Sequence, residues 1–155
     1  CRINGLEKFS PTRLIIDKNL KIKMNSYIIS SSSIYNTIIF HSSSNTKKIS
    51  NLKNKKVKLI YLKLNNYGKI NLKTIFKKIY NLGMHNVLVE CGCILTNNIL
   101  KEKLFNEFYL FKSSKKMIIK NSINVKNISK NINNTFKNKE NVNTYLDKDI
   151  LLHYY

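Results

Sequence analysis

An α/β fold is what this sequence predicts, and three observations carry it. Short β-branched runs recur along the chain; between them lie segments whose apolar residues follow a helical period; and one block reads strand, helix, strand, helix, strand in succession, the βαβ signature. At 155 residues, with 43% hydrophobic and 10% aromatic content, the chain is long enough to bury one core and too short to favour two domains.

The elements follow in order. "PTRLIID" (Pro11 to Asp17) is a β-branched run behind a proline and predicts a buried strand. "NTIIFHS" (Asn36 to Ser42) repeats the pattern after a serine-rich turn. "KVKLIYLKL" (Lys56 to Leu64) alternates lysine with apolar residues in part, as a strand with one wet face does. The period then changes. In "NLKTIFKKIYNLGMH" Leu72, Ile75, Phe76 and Ile79 fall at i, i+3, i+4 and i+7, with Asn71 placed as N-cap and Gly83 as the C′ residue. "NVLVE" (Asn86 to Glu90) predicts a strand buried on both faces, Gly92 precedes a helix through "ILTNNILKEKLF", and "EFYLFKS" (Glu107 to Ser113) predicts another strand. Residues 114–143 turn to Lys, Asn and Ser and are expected to form an irregular, partly mobile connection. The end, "TYLDKDILLHYY", reads as a hairpin turning at "DKD" into a last apolar strand.

The formal charge of +20 comes from 28 Lys+Arg against 8 Asp+Glu, and by sign alone it would suit an acidic partner. Arg2 and Arg13 are the only arginines, however, and a nucleic-acid reader more usually clusters the guanidinium fork. Lysine travels here with excess Asn and Ile and little Gly, Ala or Pro, the residue set an AT-rich genome imposes, so the charge reads as drift on a solvated surface. The lysine-rich "NTKKISNLKNKKVK" is read the same way. Cys1, Cys91 and Cys93 cannot build a disulfide framework, which fits a reducing, cytoplasmic compartment. No apolar run reaches the roughly 20 residues of a membrane span, so no membrane partner is expected. The chain opens at Cys1 without Met and is expected to be the middle of something longer.

The chemistry concentrates in "VECGCILTN". A metal needs three or four convergent ligands, whereas Cys91 and Cys93 supply two and His41, His85 and His153 are scattered; no metal is expected, and the cysteines read as small residues at a crowded turn. A phosphate is better served. At the end of a strand in an α/β domain, a Gly directly before a helix lets an anion approach free backbone N–H groups and the positive helix end. Gly92 stands there, and Glu90 sits at the rim, where a carboxylate can accept from a hydroxyl or amino group. A single Gly at such a turn serves tight packing equally well. Asp17, at a strand end, reads as a turn-forming acid, and His85 as an exposed loop residue.

"GMHNVLVECGCILTNNILKEKLFNEFYLF" resembles the late segment of the reductase domain of the bifunctional riboflavin-biosynthesis deaminase/reductase: an apolar strand, Val-Glu-x-Gly, a helix, and a Leu/Phe-acid pair leading into an apolar strand. "CRINGLEKFSPTRLIID" resembles that family's earlier stretch, an Arg and Gly-Leu before Pro-x-Arg-Val-Val-Leu-Asp, and "LDKDILLHYY" resembles its closing strand. These pieces occur in the family's order along most of the chain, with residues 114–143 poorly matched. The resemblance implies a dihydrofolate-reductase-like fold, a mixed, mainly parallel sheet flanked by helices. It implies NADPH-dependent reduction of the ribosyl group of 5-amino-6-(5-phosphoribosylamino)uracil to the ribityl form, in a homodimer, with a zinc deaminase domain fused upstream.

Carried over residue by residue, Arg2 and Glu90 would contact substrate, and Lys18, Gly92, Cys93, Ile94, Leu95, Thr96, Asn97 and Asn98 would bind the cofactor. No catalytic residue is assigned. Two departures stand out: Lys18 replaces a small hydroxyl residue, and Cys93-Ile94 replaces Pro or Gly followed by Ser or Thr, which leaves backbone N–H groups and Thr96 for the phosphates. With one Pro and no Cys-x-x-Cys the chain holds no deaminase motif. The reductase domain's first segment is expected to precede Cys1, so that residues 1–155 form a partial domain with an open sheet edge. Two other readings stay open: a different reductase of this fold acting on a pterin or nucleotide-like substrate, and a basic non-catalytic module that binds nucleic acid.

Overall fold

In the computed structural model, which describes residues 5–115 and 125–155, the chain divides into two units, Cys1–Asn81 and Leu82–Tyr155. The first unit is built round a parallel sheet of β1 (Arg13–Ile16), β2 (Thr37–His41) and β3 (Lys58–Tyr61), with β2 in the middle. The register sets Ile15 beside Ile39 and Ile39 beside Leu59, so one face of the sheet carries a row of apolar side chains. Every residue of β2 is buried, as a continuous apolar run demands when both faces are covered. The three strands lie where the β-branched runs place them.

Ile39 anchors a core with Leu20, Ile29, Leu52 and Val57, joined by Ile15, Ile28, Ile49 and Leu59. Two helices feed it: the short α1 (Tyr27–Ser30) through Ile29, and α2 (Thr46–Asn54) through Leu52 and Ile49. α2 occupies the lysine-rich stretch read as solvated surface. Its lysines belong to a helix whose other side reaches the core, and Asn45 starts it by accepting from the Lys48 N–H at 2.9 Å. The helix ends in a Schellman turn. Val57 N–H bonds to Leu52 C=O at 3.2 Å and Lys56 N–H to Lys53 C=O at 2.8 Å, with Lys56 in the left-handed region at φ 62°. The third helix, α3 (Leu72–Asn81), buries Leu72, Ile75 and Ile79 as the period predicts. Asn71 caps it, accepting from Thr74 N–H at 3.1 Å, and Gly83 follows at φ 81°.

The second unit is a two-layer sandwich. β4 (Phe108–Lys112), β5 (Lys139–Val142) and β6 (Ile150–Tyr154) form an antiparallel sheet in the order β4-β6-β5, and α4 (Cys93–Lys101) packs beside α5 (Val125–Thr135). Phe108 pairs with Tyr154 and Leu110 with Leu152, so these alternate residues face a core of Leu100, Ile132 and Phe136. The helices are cross-tied by Asn131 Nδ2 donating to Asn97 Oδ1 at 3.1 Å and Thr135 Oγ1 to Leu100 C=O at 3.3 Å. The last apolar strand and a turn at Asp147, left-handed at φ 53°, form as expected, but the strand that pairs with it is Lys139–Val142, before the "TYL" stretch that the hairpin reading assigned to it.

Two expectations are corrected. Asn86–Glu90 is neither strand nor core: it pairs with no described strand, and Leu88 is 73% exposed. An apolar run reports a demand for burial but cannot name the neighbour that would supply its ladder bonds. Of residues 114–143, 116–124 lie outside the described residues, and 125–143 are not an irregular connection, because α5 and β5 fall there; Ile128, Ile132 and Phe136, spaced by four, are the helical signal that the Lys/Asn background masks.

Arg13 ties the N-terminal end of the parallel sheet together. Its guanidinium donates to Thr37 Oγ1 from Nε (3.0 Å), to Ser31 Oγ (2.9 Å), and to the carbonyls of Ile28 (2.9 Å) and Tyr35 (3.1 Å), and lies 5.2 Å from the Tyr35 ring centroid. A lysine cannot serve acceptors spread over that fork. Arg13→Lys is therefore expected to destabilise the chain by about 2–3 kcal/mol, read as the shift in urea midpoint; a shift near zero would show the network to be dispensable.

Candidate functional site

Of the sequence-predicted site residues that the structure describes, Glu90 and Gly92 to Asn98 lie together in the second unit, at the turn into α4. Gly92 is the N-cap, extended at φ −73° and ψ 165°, and its carbonyl accepts the first helical bond from Thr96 N–H at 3.1 Å. With no side chain at the cap, the leading N–H groups of Cys93, Ile94 and Leu95 receive no side-chain cap bond. That φ is open to any residue, and a Cβ built on Gly92 meets nothing within 4 Å. Tight packing therefore does not explain the glycine; its effect is to leave the approach to the helix end unobstructed. The leading N–H groups and the positive end of the dipole together suit an anion.

Around this turn the side chains have distinct fates. Glu90 is exposed at the rim, as is Ile94 at 76%. Thr96 does not present its hydroxyl to the helix end: Oγ1 lies 3.2 Å from Cys91 Sγ and 3.5 Å from Cys91 C=O. Asn97 is engaged with Asn131, Asn98 is exposed, and Leu95 is half-buried. What the structure offers an anion here is main chain. Cys91 and Cys93 are free thiols, and among the described residues no group of three or more His, Cys, Asp or Glu could hold a metal ion.

Lys18 belongs to the first unit. It follows β1, its carbonyl accepts from Ser42 N–H at 2.9 Å, and its amine donates to Gly68 C=O at 3.2 Å, across to the Asn65–Lys69 turn. Asp17 is the turn-forming acid expected, its Oδ2 accepting from Ile22 N–H at 2.8 Å. Arg2 lies outside the described residues. His85 is exposed in an irregular connection, as predicted.

One residue the sequence did not single out is His41, at the carboxyl end of the central strand. It is 3% exposed, its Nδ1 is buried without a hydrogen-bond partner, and its ring meets Tyr61 edge-on with centroids 5.8 Å apart. Burial pushes its pKa below the ordinary 6.5, and a Ser43 backbone group and the Asp17 carboxylate pull it partly back. A polar residue closing a fully apolar run was the available signal.

A family model, that of the RibD C-terminal domain, matches residues 2–117. The chain belongs to the RibD C-terminal domain family. The matched span includes Arg2, Lys18 and the whole Glu90–Asn98 turn, and ends before α5, β5 and β6. In structure the chain is similar to a pyrimidine reductase-like protein from Corynebacterium diphtheriae, with a TM-score of 0.66 and 14% identity over 93% of this chain. It spans 60% of that protein's length, and the likeness is one of fold. No protein of curated function matches. Among the described residues no helix is long and apolar enough to cross a membrane.

Two outcomes follow. A histidine held below its unfolded pKa contributes stability that is complete above the unfolded value and lost as pH falls from there through the lower, folded value. The urea midpoint of the first unit should therefore drop between about pH 7 and pH 5, and His41→Phe, which keeps a ring against Tyr61, should flatten that drop; an unchanged slope would clear His41 of the effect. Separately, Gly92→Asp supplies the missing cap and a negative charge, and should stabilise the second unit by about 0.5–1 kcal/mol in thermal unfolding.

Proposed function

We propose that this chain is the reductase part of a riboflavin-pathway enzyme, reducing the ribosyl group of 5-amino-6-(5-phosphoribosylamino)uracil to the ribityl form with NADPH. The observation that carries the reading is the glycine-capped, unobstructed start of α4, which falls inside the stretch matched by the family. The structural neighbour, a pyrimidine reductase-like protein, supports the same class of chemistry.

The residues fit the cofactor's anionic part. The N–H groups of Cys93, Ile94 and Leu95 would hold a diphosphate at the α4 end, and the empty space over Gly92 would let its oxygens come within hydrogen-bond reach. NADPH, when bound, supplies the hydride that the sugar carbon C1′ accepts. Glu90 would accept hydrogen bonds from substrate hydroxyl or amino groups and hold the sugar in register; Arg2 would pair with the substrate phosphate through its guanidinium fork. Lys18 would reach a cofactor phosphate only by giving up its bond to Gly68. Little acid–base machinery is required beyond a proton for the opened sugar, so the work of the protein is orientation and exclusion of water. A cytoplasmic homodimer with a zinc deaminase domain upstream completes the proposal.

Steady-state kinetics and NADPH fluorescence titration of the full-length enzyme test it. Glu90→Gln should lower turnover about tenfold to a hundredfold, the worth of a hydrogen bond to a charged group, while NADPH affinity stays within about twofold. Gly92→Val, which fills the approach to α4, should weaken NADPH about tenfold and spare turnover at saturation. Equal turnover in Glu90→Gln removes that acid from the site, and undiminished NADPH binding in Gly92→Val removes the turn.

A further inference from the structure

The outward face of the β4-β6-β5 sheet, turned away from α4 and α5, departs from the usual alternation of an antiparallel sheet, apolar inside and polar outside. Register sets Phe111 of β4 beside Leu151 of β6, and Leu151 beside Val142 of β5, so one apolar row crosses all three strands. These residues alternate with Phe108, Leu110 and Leu152, which face the core, and therefore point to the other side. Phe111 is 67% exposed, and near the row Tyr109 is 50% and Tyr155 47% exposed. Apolar surface gathered in this way, on a side that alternation reserves for polar residues, marks an interaction site.

The two ends of the row differ in shape. On the β4 side Phe111 stands out as a knob, whereas on the β5 side Val142 and Leu151 line a hollow of about 340 Å³ that continues at the β5–β6 turn to Thr144 and Asp149. No lysine of the three strands falls on this face: Lys112 and Lys139 have the core-side parity, and Lys139 Nζ lies 5.7 Å from the Tyr154 ring centroid. In a chain of formal charge +20, a second copy can approach here without setting lysine against lysine. Polar groups beside the row enter such a contact already partnered, the Tyr109 hydroxyl donating to Glu107 at 3.2 Å and Glu140 Oε1 lying 3.0 Å from His153 Nδ1.

We infer that this face is the interface of a homodimer, in which two copies meet sheet to sheet across a two-fold axis running along β6. Such an axis lays β4 of each copy over β5 of the other. Because Phe111 and Val142 share one row, Phe111 of each copy then enters the hollow that Val142 and Leu151 line in the other, and the contact is made twice. The two sheets pack aligned, as the layers of a β-sandwich do. The inference rests on the homodimer of the reading given above, to which it assigns a surface, and is independent of the reductase chemistry.

Sedimentation velocity of the full chain over about 1–200 µM tests it, the range in which a small interface of three short strands associates. The unaltered chain should pass from monomer to dimer within that range. Phe111→Lys and Val142→Glu should each weaken the dimer about tenfold or more, as the loss of an anchor used twice requires. Combined in one chain, the two substitutions set an ammonium of each copy against a carboxylate of the other, and the dimer should recover about tenfold. Should either variant fail to fold, Phe111→Ala, which only removes the knob, decides by the same loss. A chain that stays monomeric throughout overturns the homodimer and the surface together. A dimer undiminished by Phe111→Lys or Phe111→Ala, or no recovery in the double variant, leaves the homodimer standing and overturns this surface. NADPH titration of the same samples reports on the reductase reading separately.

Discussion

The burial of β2 is the constraint on which the first unit depends. A strand with Ile38, Ile39 and Phe40 at 0–6% exposure must have both faces covered and both edges paired, and each neighbour answers part of that demand. β1 and β3 satisfy its ladders; α1, α2 and the chain round Leu20 cover the Ile39 face. The polar groups at its two ends are treated differently. At Thr37 the Arg13 fork satisfies several acceptors at once, whereas at His41 an imidazole nitrogen is left buried without a partner. The amino end of the sheet is thus a fastening, and the carboxyl end, where an α/β sheet carries its chemistry, retains an unsatisfied polar group.

Composition leaves a second mark. With 4 glycines in 155 residues, the chain places side chains where a left-handed turn would normally take none. Lys56 and Lys103 each sit at the C′ position of a Schellman turn, closing α2 and α4 at φ 62° and 52°, with the 6→1 bonds Val57 to Leu52 and Leu104 to Ile99 intact. The bonds and the apolar contacts outweigh the steric cost of a Cβ there, roughly 1 kcal/mol per turn. Against that scarcity, the glycine kept at position 92 is informative, because neither its φ nor its packing calls for one.

The extent to which the sequence declared this structure depended on whether its signals were local. β1, β2, β3 and α3 were legible because apolar period, Asn71 and Gly83 act within a few residues. α2 and α5 were hidden by a Lys/Asn background that thins the apolar stripe to Ile49 and Leu52, or to Ile128, Ile132 and Phe136. The Asn86–Glu90 run failed for the opposite reason: its composition is that of a buried strand, but pairing is a property of the partner. At the candidate site, the place of Gly92 at the start of α4 was readable from order alone, while the turning of Thr96 toward Cys91 was not, since a hydroxyl's choice between helix end and preceding loop is decided by geometry.

His41 takes its charge preference from its surroundings. It is buried at the end of β2, where burial disfavours the charged form, and the Asp17 carboxylate that favours it is already engaged with the Ile22 N–H. Acidification therefore strains the first unit. A whole-chain unfolding curve averages that strain over both units, so it has to be read from a probe placed on β2.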